Sequence, residues 1–292
     1  MEDFYINNTS QDNSYYYSNT TINKDNYDHH VNQRFILQVA TYIISGIGLP
    51  LTLVAIYTLY SEVKNDHVAP IYVINLLLSD LIQFCCSTVA EALTYYYQLG
   101  LVSFIFSIMY FCSLLVSVCF MVCIALERFL VIVCPLWYRC RRSIKSSVLI
   151  CVLVWVVPSV LYLLTEYLYY IAFWVISTLL LLPFPLFIFF LVGVLKALSA
   201  SISVPSDEKR RIVGILVLVL LIYTLLFLPS IIGMLLETYN ETLNILSLMF
   251  LRLSPLADLV LYIFMRKGII EKILASVCCC RKDSNDISSS SV

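Results

Sequence analysis

Two carboxylates, Asp80 and Asp258, stand in the middle of long apolar runs of this chain. A lone carboxylate in such surroundings must be protonated, paired or bound to a cation. A fixed charge pair, Glu127-Arg128, closes another apolar run, and Arg252 is the sole base at membrane depth. Charges of this kind are costly in lipid, so each must face protein or water and is a functional candidate. Other chemistries find no carrier. There is no serine-nucleophile, zinc or phosphate-loop motif, and no Cys-X-X-Cys or His cluster with metal-ligand spacing. A retinal Schiff base needs a Lys in the last apolar run, where the only base is Arg252. The chain is therefore not expected to be an enzyme or a retinal pump.

The elements that must position these groups follow from composition. The chain is 61% hydrophobic and 13% charged, against about half and a quarter for a soluble domain. Such an excess implies a polytopic membrane protein. Spanning helices need about 20 mainly apolar residues, and runs of that kind fall at roughly 35–60, 69–96, 101–134, 144–166, 171–199, 209–236 and 243–265. Helices are expected throughout, because an open sheet edge cannot be satisfied in lipid. The expected fold is an all-α membrane protein, a seven-helix bundle with short loops and antiparallel neighbours. A net charge of -1 offers no electrostatic reason for a nucleic-acid partner.

Charge distribution orients the bundle. With the amino terminus outside, only Lys24 and Arg34 are extracellular, while Lys64, Arg139, Arg141, Arg142, Lys145, Lys209, Arg210, Arg211, Arg266 and Lys267 are cytosolic. Glycosylation sequons at Asn7, Asn8, Asn19 and Asn240 all fall outside in this topology. Residues 1–34 read as a polar, glycosylated tail without a leader sequence. No cysteine lies clearly in an exterior loop, so no extracellular disulfide is expected. After the seventh run, Ile269, Ile270, Ile273 and Leu274 share one helical face opposite Lys and Glu. Residues 266–280 thus read as a short amphipathic eighth helix at the membrane interface, tied down by palmitoylation at Cys278, Cys279 and Cys280. Residues 281–292 read as a disordered cytosolic tail whose serines suit phosphorylation.

Seven spans with Glu127-Arg128-Phe129 closing the third resemble the rhodopsin-like G-protein-coupled receptors. The run Asn75 to Asp80 resembles the Asn-Leu-x-x-x-Asp signature of their second helix. Asp258 to Tyr262 resembles their Asn/Asp-Pro-x-x-Tyr, with Leu259 in place of Pro and Pro255 three residues earlier. The resemblance implies that Glu127 and Arg128 form the resting pair that opens to a heterotrimeric G protein, with Tyr262, Lys209 and Arg210 at the coupling face. It also implies a sodium site made by Asp80, Ser117 and Asp258. Ser117 lies about three helical turns before Arg128. Departures from the family are Thr52 for a first-helix Asn, Phe227 for the sixth-helix Trp, and Ser103 near the usual third-helix Cys. Residues 134–142 and 148–155 look like the Mas-related branch. Ser254 to Asp258 and Gly48-Leu49-Pro50 are similar to the nucleotide-, lipid- and proton-sensing branch.

The outer ends of the spans carry Glu91, Glu166, Glu237 and Glu241. An acid-lined mouth favours a cationic amine or basic peptide, and Glu166 is within one residue of where some Mas-related receptors place an acid. Arg252 either neutralises one of these acids or receives an acidic ligand group. The resulting expectation is a plasma-membrane receptor that relays an extracellular ligand to a G protein, with Glu91, Glu166, Glu237, Arg252 and Phe227 around the ligand. The competing readings are a nucleotide, lysolipid or proton receptor, and an ion-coupled transporter using Asp80 and Asp258.

Overall fold

The structure, a computed structural model, describes residues 12–65, 71–94, 100–136, 144–167, 169–200, 206–235 and 241–265. It is built from helices α1 (Asp12–Asn65), α2 (Ile71–Thr94), α3 (Gly100–Val133), α4 (Ile144–Tyr167), α5 (Tyr169–Leu181), α6 (Pro183–Ala200), α7 (Ser206–Leu235) and α8 (Glu241–Met265). Among the described residues, seven stretches are long and apolar enough to cross a membrane: 32–61, 71–93, 100–133, 145–165, 174–199, 212–233 and 242–265. They match the seven runs expected from the sequence to within a few residues at each end. The seventh span is α8; the amphipathic helix expected at 266–280 lies outside the described residues.

Two local features were not expected. Helix α1 begins at Asp12, inside the stretch read as a polar tail. Residues 12–34 contain neither Gly nor Pro, so nothing interrupts the helix between tail and span. The fifth span is also two helices, parted by a turn at Leu182. Pro183 and Pro185 lack the N–H groups that would continue the ladder, and their rings crowd the preceding turn.

The helices close into a ring. α1 packs on α2 and α8, α7 on α5, α6 and α8, and α3 on α2, α4, α6 and α7. Helix α3 is the axle, with Val116, Phe120, Met121, Ile124 and Ala125 wholly buried. α4 turns Val148, Leu149, Val152, Val156 and Leu163 outward, the apolar face a lipid-facing helix requires.

Lipid tails are as apolar as Leu, so apolar burial alone gives these helices little reason to associate; close packing and interhelical hydrogen bonds must contribute. Both are present. The Trp155 indole donates to Asn75 Oδ1 at 3.0 Å, and Asn75 Nδ2 donates to Cys151 Sγ at 3.5 Å, joining α4 to α2. The Thr58 and Tyr262 hydroxyls meet at 2.9 Å, joining α1 to α8. Tyr223 OH donates to the Leu180 carbonyl at 2.5 Å, tying α7 to α5 beside the proline turn. Gly48 lets the Phe84 ring lie where a Cβ would otherwise stand, and Gly193 does the same for Phe129.

Candidate functional site

Helical periodicity assembles a polar column through the bundle. Residues three or four apart share a helix face. Thr41, Ser45 and Thr52 fall on one face of α1, Asp80, Gln83, Ser87 and Glu91 on one face of α2, and Tyr110, Ser113 and Ser117 on one face of α3. Helix α8 supplies Arg252, Ser254 and Asp258. All of these are buried except Glu91 and Arg252, which are partly so.

At one end of the column lies a carboxylate pair. Asp80, Ser117 and Asp258 are each 0% exposed. Ser117 Oγ donates to Asp258 Oδ2 at 3.0 Å, and Gln83 Nε2 donates to Asp80 Oδ1 at 3.3 Å. Asp80 faces both Asp258 and Ser117. The remaining oxygens, Asp80 Oδ2 and Asp258 Oδ1, are buried without a hydrogen-bond partner, as is Ser254 Oγ. Two adjacent carboxylates in a dry interior cannot both carry charge unless a cation lies between them. The donor set of two carboxylates and a hydroxyl suits a small hard cation or a shared proton.

At the other end lies an ion pair. Arg252 Nη2 meets Glu91 Oε1 at 2.5 Å, with side chains 14% and 19% exposed. Arg252 Nη1 donates to Thr41 Oγ1 at 2.8 Å, while the Thr41 hydroxyl donates to the Leu37 carbonyl. The guanidinium carbon sits 5.6 Å from the centre of the Tyr110 ring, within cation–π range. One arginine thereby ties α8 to α1, α2 and α3. Of the outer acids that the sequence offered, Glu91 is the one that Arg252 meets.

Between the two ends runs a cleft lined by Ser45, Gln83, Phe84, Tyr110, Arg252 and Pro255 among others. The cleft is too narrow to seat a water molecule. Four of its polar groups are buried without a partner: Ser45 Oγ, Gln83 Oε1, Tyr110 OH and Arg252 Nε.

The other expected residues are distributed as follows. Glu127 and Arg128 are partly buried at the far end of α3, and Arg128 Nε is enclosed without a hydrogen-bond partner. Phe129 packs on Phe190 and Phe189 at 5.3 and 5.6 Å. Tyr262 is nearly buried and held by Thr58. Phe227 is wholly buried and stacks on Tyr223 at 4.6 Å, away from the cleft lining. The side chains of Glu166, Lys209, Arg210 and Asn19, and all of Asn7, Asn8, Glu237, Asn240 and Cys278 to Cys280, lie outside the described residues. Sequence reasoning missed Gln83, Tyr110 and Thr41. Their signal was the shared helix face with Glu91, Ser117 and Ser45.

The chain is thus a multi-pass helical bundle with a charge pair closing its third span and two carboxylates meeting between its second and eighth helices. Residues 51–171 match the family described as 7 transmembrane receptor (rhodopsin family). The chain is 31% identical over 130 residues to the human Mas-related G-protein coupled receptor MRG, covering 42% of this chain and 33% of that one. It is 28% identical over 141 residues to the rat G-protein coupled receptor 183, covering 46% and 39%. It is 25% identical over 288 residues to the proteinase-activated receptor 1 of Xenopus laevis, covering 85% and 67%. With the seven spans, these matches make the chain similar to rhodopsin-family receptors, with Mas-related likeness among its relatives. The aligned stretches span about a third to two fifths of the length of the first two relatives.

Proposed function

We propose that this chain is a plasma-membrane receptor that transmits an extracellular ligand signal to a heterotrimeric G protein. The observation that carries the reading is the polar column. It has Glu91 and Arg252 at one end and Asp80, Ser117 and Asp258 at mid-depth. A buried polar network of this kind has two satisfied arrangements more readily than an apolar core does, so a ligand can bias it. Lys and Arg bias supports an exterior amino terminus, which sets Glu91 toward the outside and Arg128 toward the cytosol. Opening of the cytosolic end would expose Arg128, with Tyr262, Lys209 and Arg210 around it, to the G protein. Receptor kinase and arrestin would then act on the serine-rich tail.

The ligand class that fits is a cationic amine or basic peptide. Glu91, Glu166 and Glu237 put acids at the outer ends of three spans. Glu91 is already held by Arg252, so a cation reaching it does so by exchange with an internal base. Phe227, behind Tyr223, would feel that exchange through packing rather than contact. At mid-depth, Asp80, Ser117 and Asp258 would hold sodium: the free Asp80 Oδ2 and Asp258 Oδ1 fit a small cation. Bound there, the ion would supply the positive charge that lets both carboxylates ionise.

G-protein activation in cells tests this reading, with surface-matched wild type and Arg128→Ala compared across cationic amines and basic peptides. A ligand-dependent signal in the wild type that Arg128→Ala removes is the expected result. A signal of equal size in both would remove Arg128 from the mechanism.

A further inference from the structure

Glu91 fills only half of the edge that Arg252 presents to an acid. Nε and Nη2 lie on one edge of a guanidinium, and that edge can grip both oxygens of a single carboxylate. Here Glu91 Oε1 takes Nη2 at 2.5 Å, while Nε is buried without a partner. The guanidinium is held in place by contacts that do not involve Glu91: Nη1 donates to Thr41 Oγ1, and the Tyr110 ring lies against its face. The cleft beside it is rich in idle donors. Three of its four unpartnered groups can donate, namely Arg252 Nε, Tyr110 OH and Ser45 Oγ, and its lining contains no carboxylate.

We propose that the Glu91–Arg252 pair is the recognition site for a small zwitterion, a ligand whose ammonium and carboxylate lie a few bonds apart and insert together into the pair. Charge balance selects this class. A plain amine that takes Glu91 strands Arg252, and a plain acid that takes Arg252 strands Glu91. Either leaves a charge unpaired in a mostly shielded site, which is strongly unfavourable. A ligand that brings both charges strands neither. Its carboxylate, meeting Nε and Nη2 together, makes the bidentate grip that Glu91 does not make. The Tyr110 and Ser45 hydroxyls, on the same cleft, are further donors for it. In the resting pair, each residue is the surrogate of the ligand group that its partner would bind. This deepens the cationic-ligand reading given above and rests on it: the ligand's cation takes Glu91, and an acid group beside it takes the base that Glu91 gives up.

The test follows thermal unfolding of the purified full chain in lipid nanodiscs by tryptophan fluorescence. Straight-chain probes are compared in sets of equal length: an ω-amino acid, the amine that lacks its carboxyl group and the acid that lacks its amino group. A compound that binds the folded state raises the unfolding temperature, and the readout is the concentration giving half of the largest shift. At the best length, the amino acid is expected to need at least about tenfold less than the amine or the acid. That is smaller than the full effect of stranding a buried charge, because Arg252 and Glu91 are 14% and 19% exposed and water screens them in part. Arg252→Lys keeps the charge but has no edge for two oxygens. It should weaken the amino acid several-fold and leave the amine unchanged. The double variant Glu91→Gln/Arg252→Met leaves no charge unpaired, and in it the preference should vanish. An amine that acts as well as the amino acid overturns the zwitterion and leaves the cationic reading standing. An acid that equals the amino acid overturns both. No shift with any probe also overturns the zwitterion, and the cationic reading then stands or falls by the Arg128→Ala comparison.

Discussion

Arg252 on the seventh span and Glu91 on the second form an ion pair at 2.5 Å, with the guanidinium also engaging Thr41 and resting over Tyr110. Both side chains are mostly shielded, so little water is at hand to take the place of a lost partner. Removing one partner of a buried pair costs about 3–5 kcal/mol, whereas replacing both by well-packed neutral residues can be nearly neutral. Glu91→Gln or Arg252→Met alone should therefore lower the thermal stability of the purified receptor more than the double change does. If the double variant is as unstable as the sum of the two singles, the pair carries no mutual stabilisation.

The proposed cation site predicts a salt signature. Asp80→Asn and Asp258→Asn each remove one ionised oxygen from the Asp80–Ser117–Asp258 set. Either variant should lose sodium-specific thermal stabilisation against choline while keeping or exceeding the wild-type stability in choline, because the like-charge conflict is gone. Ser117→Ala should weaken the sodium response without abolishing it. Full sodium stabilisation in Asp80→Asn would move the ion elsewhere.

The Tyr223 hydroxyl is the partner of the Leu180 carbonyl beside the proline turn, and its ring is enclosed by Phe184, Phe187 and Phe227. Tyr223→Phe keeps the ring and removes only the hydrogen bond. A lost bond that strands a buried acceptor costs about 1–3 kcal/mol. The variant should unfold at a lower temperature than wild type, and Phe227→Leu should add a separate packing loss. Unchanged stability of Tyr223→Phe would mean that Leu180 finds another donor.

Gly48 and Phe84 are matched by shape. A Cβ on residue 48 would stand 2.2 Å from Cζ of the Phe84 ring, so Gly48→Ala must displace a wholly buried aromatic. Overpacking of this kind costs about 1–3 kcal/mol. Gly48→Ala should destabilise the receptor, and Phe84→Leu in the same chain should recover part of the loss. The check is the thermal unfolding of the two singles and the double; no recovery would show that the clash lies with the helix backbone rather than the ring.

The spans were legible because lipid imposes a simple condition: an apolar run of sufficient length must satisfy its backbone internally, and it does so as a helix. The meeting of Ser117 with Asp258, and of both with Asp80, was legible through the family resemblance of three separate motifs. What the sequence left open was set by distance along the chain. Whether Arg252 faces Glu91 or a ligand depends on the rotation of α8 against α2, and 161 residues separate the two partners. Gln83 drew no attention because a glutamine has no charge to make it conspicuous; only its place between Asp80 and Glu91 gives it meaning. The turn at Leu182 was hidden inside an unbroken apolar run, although Pro183 and Pro185 marked it. The helical start at Asp12 went unread because the spans were read from apolar runs, and residues 12–34 are polar.

The most direct test of the central claim is G-protein heterotrimer dissociation in living cells, read by resonance energy transfer between labelled subunits. Wild type and Arg128→Ala are compared at equal surface density during exposure to cationic amines and basic peptides. The account predicts dissociation in the wild type for at least one heterotrimer and its loss in Arg128→Ala. Dissociation of equal size in both, or none in either while a cationic ligand binds the purified receptor, would contradict it.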